Sequence, residues 1–232
     1  LNDFYEQKEK FEISSVSDLV QIDKAGIEIK RARRGLPAER PVVPVALSCN
    51  ENYAKYTAVT IQSIIENAGS ANRYEIYVLH TELKPETMKR LEKIRGVNYS
   101  VRCINVEKFL PPAGELFVNE HITKETYYRF CIPEAIDRPK VIYIDCDLVV
   151  LADIAELYSL PANGAAISGI NNFMNRGMYF YVKDSLKIDP AAYINGGVLL
   201  IDTKRYKEEK IKEKFVRLVK NEYRFLDQDI IN

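Results

Sequence analysis

Charge of one sign is what this sequence lacks most plainly. Its 33 Lys and Arg residues balance 33 Asp and Glu, so no long-range field draws in nucleic acid or anionic lipid, and polyanion binding is not expected. No apolar run approaches the eighteen or so residues of a membrane span, and no signal peptide is visible. No Cys-x-x-Cys pair occurs. Cys49, Cys103, Cys131 and Cys146 are scattered beside apolar neighbours and read as reduced core thiols, which points to the cytoplasm. Internal repeats and low-complexity tracts are absent. So is an initiating Met: the chain starts at Leu1, which leaves what precedes it open. What is present is ordinary for a soluble globule, with 232 residues, 47% hydrophobic and 28% charged, enough for one substantial α/β domain.

Two parts are distinguishable along the chain. Residues 1–41 are charge-rich and weakly periodic, with "EQKEKFE", "IKRARRGLPAERP" and a basic cluster before Pro37 and Pro41, and read as a partly ordered leader and linker. From Val42 to Asn232 strands and helices alternate. "VVPVALS", "YEIYVLH", "YSVRCINV", a strand ending at Asp145, "GAAISGI" and "GGVLLID" read as strands. "YAKYTAVTIQSIIENA" carries Ala54, Ala58, Ile61, Ile64, Ile65 and Ala68 at helical spacing; "PETMKRLEKIR" is a helix opened by Pro85 and closed by Gly96. "TKETYYRFCIPEAI" is expected as a helix turning at Pro133, "DIAE" as a short helix capped by Asp153, and "TKRYKEEKIKEKFVRLVKNEY" as one long surface helix. This alternation predicts a mostly parallel sheet with helices on both faces.

"KVIYIDCDLVV" sets Asp145 and Asp147 inside one of the most apolar runs of the chain. Placed at i and i+2 of a strand, the two carboxylates share a face, where a divalent cation with hard oxygen ligands would relieve their repulsion. The alternative is a strand that stops early and leaves both acids as solvated loop residues. The other strand ends, Ser48 to Asn52, His80, Ile170 to Asn172 and the loop entering Gly196, are polar or small. In open α/β sheets such ends hold ligands.

Taken together, "VALSCNENYAKYTAVTIQSIIEN", "YEIYVLH", "TYYRFCIPEAI", "KVIYIDCDLVV", "YINGGVLLIDTKRY" and "FLDQDIIN" resemble glycosyltransferase family 8, from about Val42 to Asn232. The family comprises retaining enzymes that include lipopolysaccharide galactosyl- and glucosyltransferases and glycogenin. The resemblance implies a GT-A fold with a Rossmann-like sheet, a UDP-sugar donor, a saccharide acceptor, and Mn²⁺ or Mg²⁺ held by Asp145 and Asp147. It also implies that Ser48, Asn50, Asn52, Tyr53 and His121 contact the nucleotide, and that Asp145 with Cys146 lies near the donor. Arg129 would set a cation near sugar and phosphate. Asn195, Gly196 and Gly197 would form a tight turn on the sugar, and Asp227 and Gln228 would bind its hydroxyls near the anomeric carbon. The implied reaction moves a hexose, glucose or galactose, to a glycan or cell-surface saccharide acceptor, in the cytoplasm with the inner face of the membrane left open as its place.

Two departures stand out. Asn50 replaces an Asp common in the family, and the family's third metal ligand, a His in an HxxGxxKP-like motif, falls beyond Asn232. Neither His80 nor His121 matches it by position. The chain is therefore expected to bind a UDP-sugar but turn it over slowly, and peripheral membrane contact through such a tail and a further domain upstream are left open. Two other readings stand beside this one: a nucleotide-sugar-binding domain without turnover, and a haloacid-dehalogenase-type phosphatase using Asp145 as nucleophile and Asp147 as acid.

Overall fold

The computed structural model describes residues 40–112, 116, 124–162 and 164–232. The leader expected over 1–41 lies, apart from Arg40 and Pro41, outside the described residues, and so does His121. Arg40–Asn232 forms one compact unit. In chain order its elements are β1 (Val42–Ser48), α1 (Ala54–Glu66), β2 (Arg73–His80), α2 (Pro85–Glu92) and β3 (Tyr99–Asn105). A 3₁₀ helix (Lys124–Cys131) then runs into α3 (Ile132–Ala135), followed by β4 (Lys140–Ile144), α4 (Ala155–Ser159) and β5 (Ile167–Asn171). Next come α5 (Arg176–Phe180), which continues into a π turn (Tyr181–Ser185), β6 (Ile194–Asp202), α6 (Thr203–Glu208), α7 (Ile211–Leu218) and α8 (Leu226–Ile231).

The six strands make one sheet in the order β3-β2-β1-β4-β6-β5. The pairs β1–β2, β2–β3 and β1–β4 are parallel, whereas β6 runs antiparallel to both β4 and β5. The order turns back at β1, and the chain crosses there from the β1–β2–β3 side to β4, the arrangement that opens a crevice at the carboxyl ends of open α/β sheets. Because β6 is antiparallel, its first residues lie beside the last residues of β4. Gly196 and Gly197 thereby join the same rim from the opposite chain direction.

Alternation along the strands sends side chains to two cores. Val43, Val45 and Leu47 of β1, with Ile76, Val78, Ile142 and Ile144, pack under α1, α2 and α4. Ala46, Tyr77, Leu79, Val141, Tyr143, Leu199 and Ile201 pack against the 3₁₀ helix, α3 and α6. Helices thus cover both faces, as the periodicity requires. Among the described residues no helix is long and apolar enough to cross a membrane, and all four cysteines are free.

Several local expectations change. The strand expected to end at Asp145 ends at Ile144. The expected long helix from Thr203 breaks at Lys210, whose φ of 54° is left-handed, and resumes as α7; no glycine or proline marks this break in the sequence. Residues 124–131 wind as a 3₁₀ rather than an α-helix, and Pro133, expected as a turn, sits in the first turn of α3. Ile154, not Asp153, immediately precedes α4, yet Asp153 still accepts from the Ala155 amide at 2.9 Å while taking the Tyr74 hydroxyl at 2.6 Å. The stretch 171–193, expected as a loop, contains α5 and the π turn.

Candidate functional site

Two adjoining clefts open at the carboxyl ends of β1 and β4. The first, about 380 Å³, is lined by Ser48, Asn50, Tyr53, Glu125, Thr126, Arg129, Tyr143, Asp145, Cys146 and Asp147. The second, about 190 Å³, is lined by Thr126, Arg129, Asp145, Asn195, Gly196, Gly197, Phe225, Asp227 and Gln228. They share Thr126, Arg129 and Asp145. The first alone is within the size range of small-ligand sites.

Asp145 and Asp147 lie in the turn just past β4, which corrects the strand placement. The end of the strand nevertheless aims both at one cleft, because the Asp145 amide still bonds the Gly197 carbonyl at 2.9 Å and only then does the chain turn. Asp145 Oδ1 accepts from Arg129 Nη2 at 3.1 Å and from the Tyr143 hydroxyl at 3.0 Å. Its Oδ2 makes no hydrogen bond among the described residues, and Asp147 is exposed with no hydrogen bond or ion pair among them. These free oxygens are hard donors of the kind Mg²⁺ and Mn²⁺ prefer. No set of three or more metal-binding side chains exists among the described residues. A cation held here would take its remaining ligands from groups other than the described side chains, and the two acids fit that partial role.

Arg129 ties the two clefts together. It is 6% exposed, and Nε donates to the Thr126 carbonyl at 2.9 Å, Nη1 pairs with Asp227 at 3.1 Å and also bonds the Gly196 carbonyl, and its plane lies 4.3 Å from the Tyr143 ring centre. Burial opposes the guanidinium charge, but Asp227, with Tyr143 and Asp145, outweighs it and holds the group above its ordinary range. Asp227 is equally buried. Burial lifts its carboxyl above the ordinary carboxylate range, with Arg129 and the Thr126 hydroxyl opposing. Both Asp227 oxygens are engaged, one by Thr126 and the other by Arg129. Arg129 is thus a buried tie whose hydrogen bonds are spent on the protein, rather than a cation reaching freely into the cleft.

Asn195, Gly196 and Gly197 belong to β6 and do not form the expected tight turn. Their small size has another cause. A Cβ on Gly196 would come within 2.7 Å of Arg129 Nη1, and one on Gly197 within 2.7 Å of Asp145 Oδ2. The strand approaches the charged cluster too closely for a side chain. Asn195 Oδ1 accepts the Gly197 amide at 2.8 Å, and its Nδ2 donates to Asn172 at 2.9 Å. Gln228 Oε1 accepts the Gly196 amide at 2.9 Å.

On the β1 side Asn50 Oδ1 accepts the Tyr53 amide at 3.1 Å, and the Tyr53 ring is half exposed beside Tyr56, 5.6 Å centre to centre. Ser48 Oγ is buried beside the Tyr143 hydroxyl, with no hydrogen bond of normal geometry. Cys146 lines the cleft as a thiol, since burial pushes it up to about 12. Asn52 is exposed on the turn and does not line the cleft. His80 is buried, its Nδ1 accepting the Leu83 amide at 3.3 Å, and lies outside both clefts.

Sequence reasoning missed Thr126, Glu125 and Tyr143: Thr126 and Tyr143 lie inside quoted motifs, but nothing in their neighbours says that these side chains face the cleft. It also missed Asp229, which is buried and takes the hydroxyls of Tyr181, at 2.7 Å, and Tyr193. Tyr193 in turn accepts from Gln228 at 3.3 Å. The repeated acid in "LDQD" was the available signal.

Residues 44–232 match the family model described as "Glycosyl transferase family 8". The chain belongs to this family. General stress protein A of Bacillus subtilis is 30% identical over 196 residues, covering 80% of this chain and 67% of that protein. Lipopolysaccharide 1,2-glucosyltransferase of Escherichia coli is 23% identical over 235 residues, covering 95% of this chain and 64% of that protein. Among solved structures, galactosyltransferase LgtC in complex with donor and acceptor sugar analogs superimposes with a TM-score of 0.66 at 27% identity, over 82% of this chain and 69% of that one. The chain spans about two thirds of the length of these relatives, and less than half of others that it matches. The fold is that of the GT-A glycosyltransferases, and the phosphatase reading falls with family membership.

Proposed function

We propose that the chain is a retaining hexosyltransferase that binds a UDP-sugar across the two clefts and moves its glucose or galactose to a saccharide acceptor. The observation that carries this reading is the convergence of Asp145, Asp147, Arg129, Asp227, Gln228 and the Asn195–Gly197 edge on adjoining clefts at one end of the sheet. Supporting it, the related LgtC is a galactosyltransferase seen with donor and acceptor sugar analogs, and a relative matched over 95% of the chain is a lipopolysaccharide glucosyltransferase.

In this reading the first cleft takes the nucleotide. The Tyr53 face stacks on the base, Asn50 and the unpartnered Ser48 hydroxyl supply polar contacts, and Asp145 and Asp147 meet the diphosphate end. A bound divalent cation would neutralise charge developing on the diphosphate. The second cleft takes the sugar, against Asn195, the Gly196–Gly197 backbone, Asp227 and Gln228. Transfer breaks the bond between the anomeric carbon and the diphosphate oxygen, whose electron pair leaves with UDP. The new bond joins the acceptor oxygen to the same face of that carbon, and the acceptor proton passes to the departing phosphate. Front-face attack needs no protein nucleophile, whereas a covalent intermediate would need one on the opposite sugar face, where Asp227, held by Thr126 and Arg129, is the candidate. Arg129 keeps Asp145, Asp227 and the Gly196 carbonyl in register, so the site is preorganised before the charge appears.

The test is UDP release from a panel of UDP-sugars with Mn²⁺ present, each with and without a saccharide acceptor mixture. One or two hexose donors are expected to release UDP faster with acceptor. Metal-dependent binding of every donor with release from none would favour a binding domain without turnover.

A further inference from the structure

Beyond Asp145 and Asp147 themselves, the backbone that carries them is held in an unusual way. Residues 146–150 follow β4 without pairing to any strand, so their peptide groups need partners from elsewhere. Two side chains of α1, Thr60 and Ser63, and that of Asn67 at its C-terminal cap supply them. Thr60 Oγ1 donates to the Cys146 carbonyl at 2.9 Å and is also 2.7 Å from the Leu148 carbonyl. Ser63 Oγ accepts the Val150 amide at 2.9 Å while donating to the Thr60 carbonyl at 2.7 Å. Asn67 Nδ2 donates to the Val150 carbonyl at 3.0 Å and to the Ser63 carbonyl at 3.0 Å.

Spaced by three and four residues, Thr60, Ser63 and Asn67 form one stripe down the helix, alongside the apolar stripe of Ile61 and Ile64. Thr60 is fully buried and Ser63 is 7% exposed. Hydroxyls with no apolar packing reason to be there are costly in a core unless bonded. The carbonyls they engage belong to residues 146, 148 and 150, alternate positions that face the helix. The intervening residues face away: Val149 is 63% and Leu151 83% exposed, and Asp147 points out beside the first cleft.

We propose that Thr60, Ser63 and Asn67 are positioning residues, which set the direction in which Asp147 is presented to the cation and diphosphate by holding residues 146–150 along α1. This rests on the donor-site reading above. A purely structural clamp would change only stability; a positioning clamp also changes ligand affinity at matched stability.

The experiment compares Thr60→Val, which keeps shape and removes the donor, with Thr60→Ser, which keeps the hydroxyl, and with Ile64→Val, which loosens the same helix and removes no hydrogen bond to residues 146–150. Two quantities are read on the 232-residue protein: UDP affinity with and without Mn²⁺, and amide exchange over 147–150 without ligand. In Thr60→Val the Mn²⁺-dependent affinity is expected to fall by about tenfold, while Thr60→Ser and Ile64→Val stay near wild type. Ser63→Ala, a milder change that serves if Thr60→Val does not fold, is expected to speed exchange of the Val150 amide and weaken Mn²⁺-dependent UDP binding. Unchanged affinity in both variants, or affinity lost equally in Ile64→Val, overturns the proposal. Wild-type protein that binds no UDP with Mn²⁺ overturns the donor-site reading instead, and the exchange measurement then decides whether the clamp itself exists.

Discussion

Arg129 illustrates how much of this site is decided by single residues. Its guanidinium is enclosed by two carboxylates, two carbonyls and an aromatic face, so removing it leaves Asp227 buried without its counter-charge. Breaking one side of a buried pair costs about 3 to 5 kcal/mol, more than the pair contributes when replaced as a whole. Arg129→Met is therefore expected to lose about that much stability in urea unfolding, and Arg129→Met with Asp227→Asn to lose clearly less. Equal losses in the single and double variants would mean that the two charges are not coupled. The residues of this cluster were legible in the sequence as members of motifs, but their mutual roles were not. Nothing in "TYYRF" says that the arginine faces inward, and Gly196 and Gly197 read as a turn because glycines signal turns more often than a strand's close approach to charge.

At the scale of elements, the sheet and its two covering layers follow from periodicity, and all six expected strands are present. Boundaries and helix types did not follow, because they depend on tertiary partners. β4 stops at Ile144, its last residue in register with β6, although the Asp145 amide still reaches the Gly197 carbonyl, and the break at Lys210 has no local signature. Also invisible was the charge that β2 buries. Glu75 in its middle is 8% exposed and is met by the Tyr77 hydroxyl at 2.6 Å, Arg138 at 2.7 Å and Arg73 at 2.8 Å. Burial would raise its carboxyl, but Tyr77 and Arg138 outweigh burial and hold it below its ordinary range. A carboxyl with a depressed folded-state pKa stabilises the protein above its unfolded value, about 4.3, and loses that contribution as pH falls through the folded value. Wild type should lose thermal stability on going below about pH 4.3, and Glu75→Gln should lose less over the same window while starting lower at neutral pH by about 1 to 3 kcal/mol. Parallel pH profiles would show that Glu75 does not contribute in this way.

For the molecule as a whole, the central claim is that the crevice at the β1–β4 junction binds a nucleoside diphosphate through Asp145 and Asp147 in a metal-dependent way. Fold and family were legible from the order of motifs along the chain, whereas a metal site is not complete in the described residues, which bring no three metal-binding side chains together. The most direct measurement is the thermal midpoint with UDP, with Mn²⁺, with both, and with both in Asp147→Asn. A ligand that binds only the folded chain stabilises it by about 2.7 kcal/mol at a hundredfold excess over Kd, roughly 5 to 11 °C for a domain of this size. That rise is expected for UDP and Mn²⁺ together, with much smaller shifts for either alone. In Asp147→Asn the rise should vanish without lowering the ligand-free midpoint, because Asp147 is exposed and makes no bond among the described residues. An equal rise without metal, or one retained in Asp147→Asn, would contradict the assignment of these two acids.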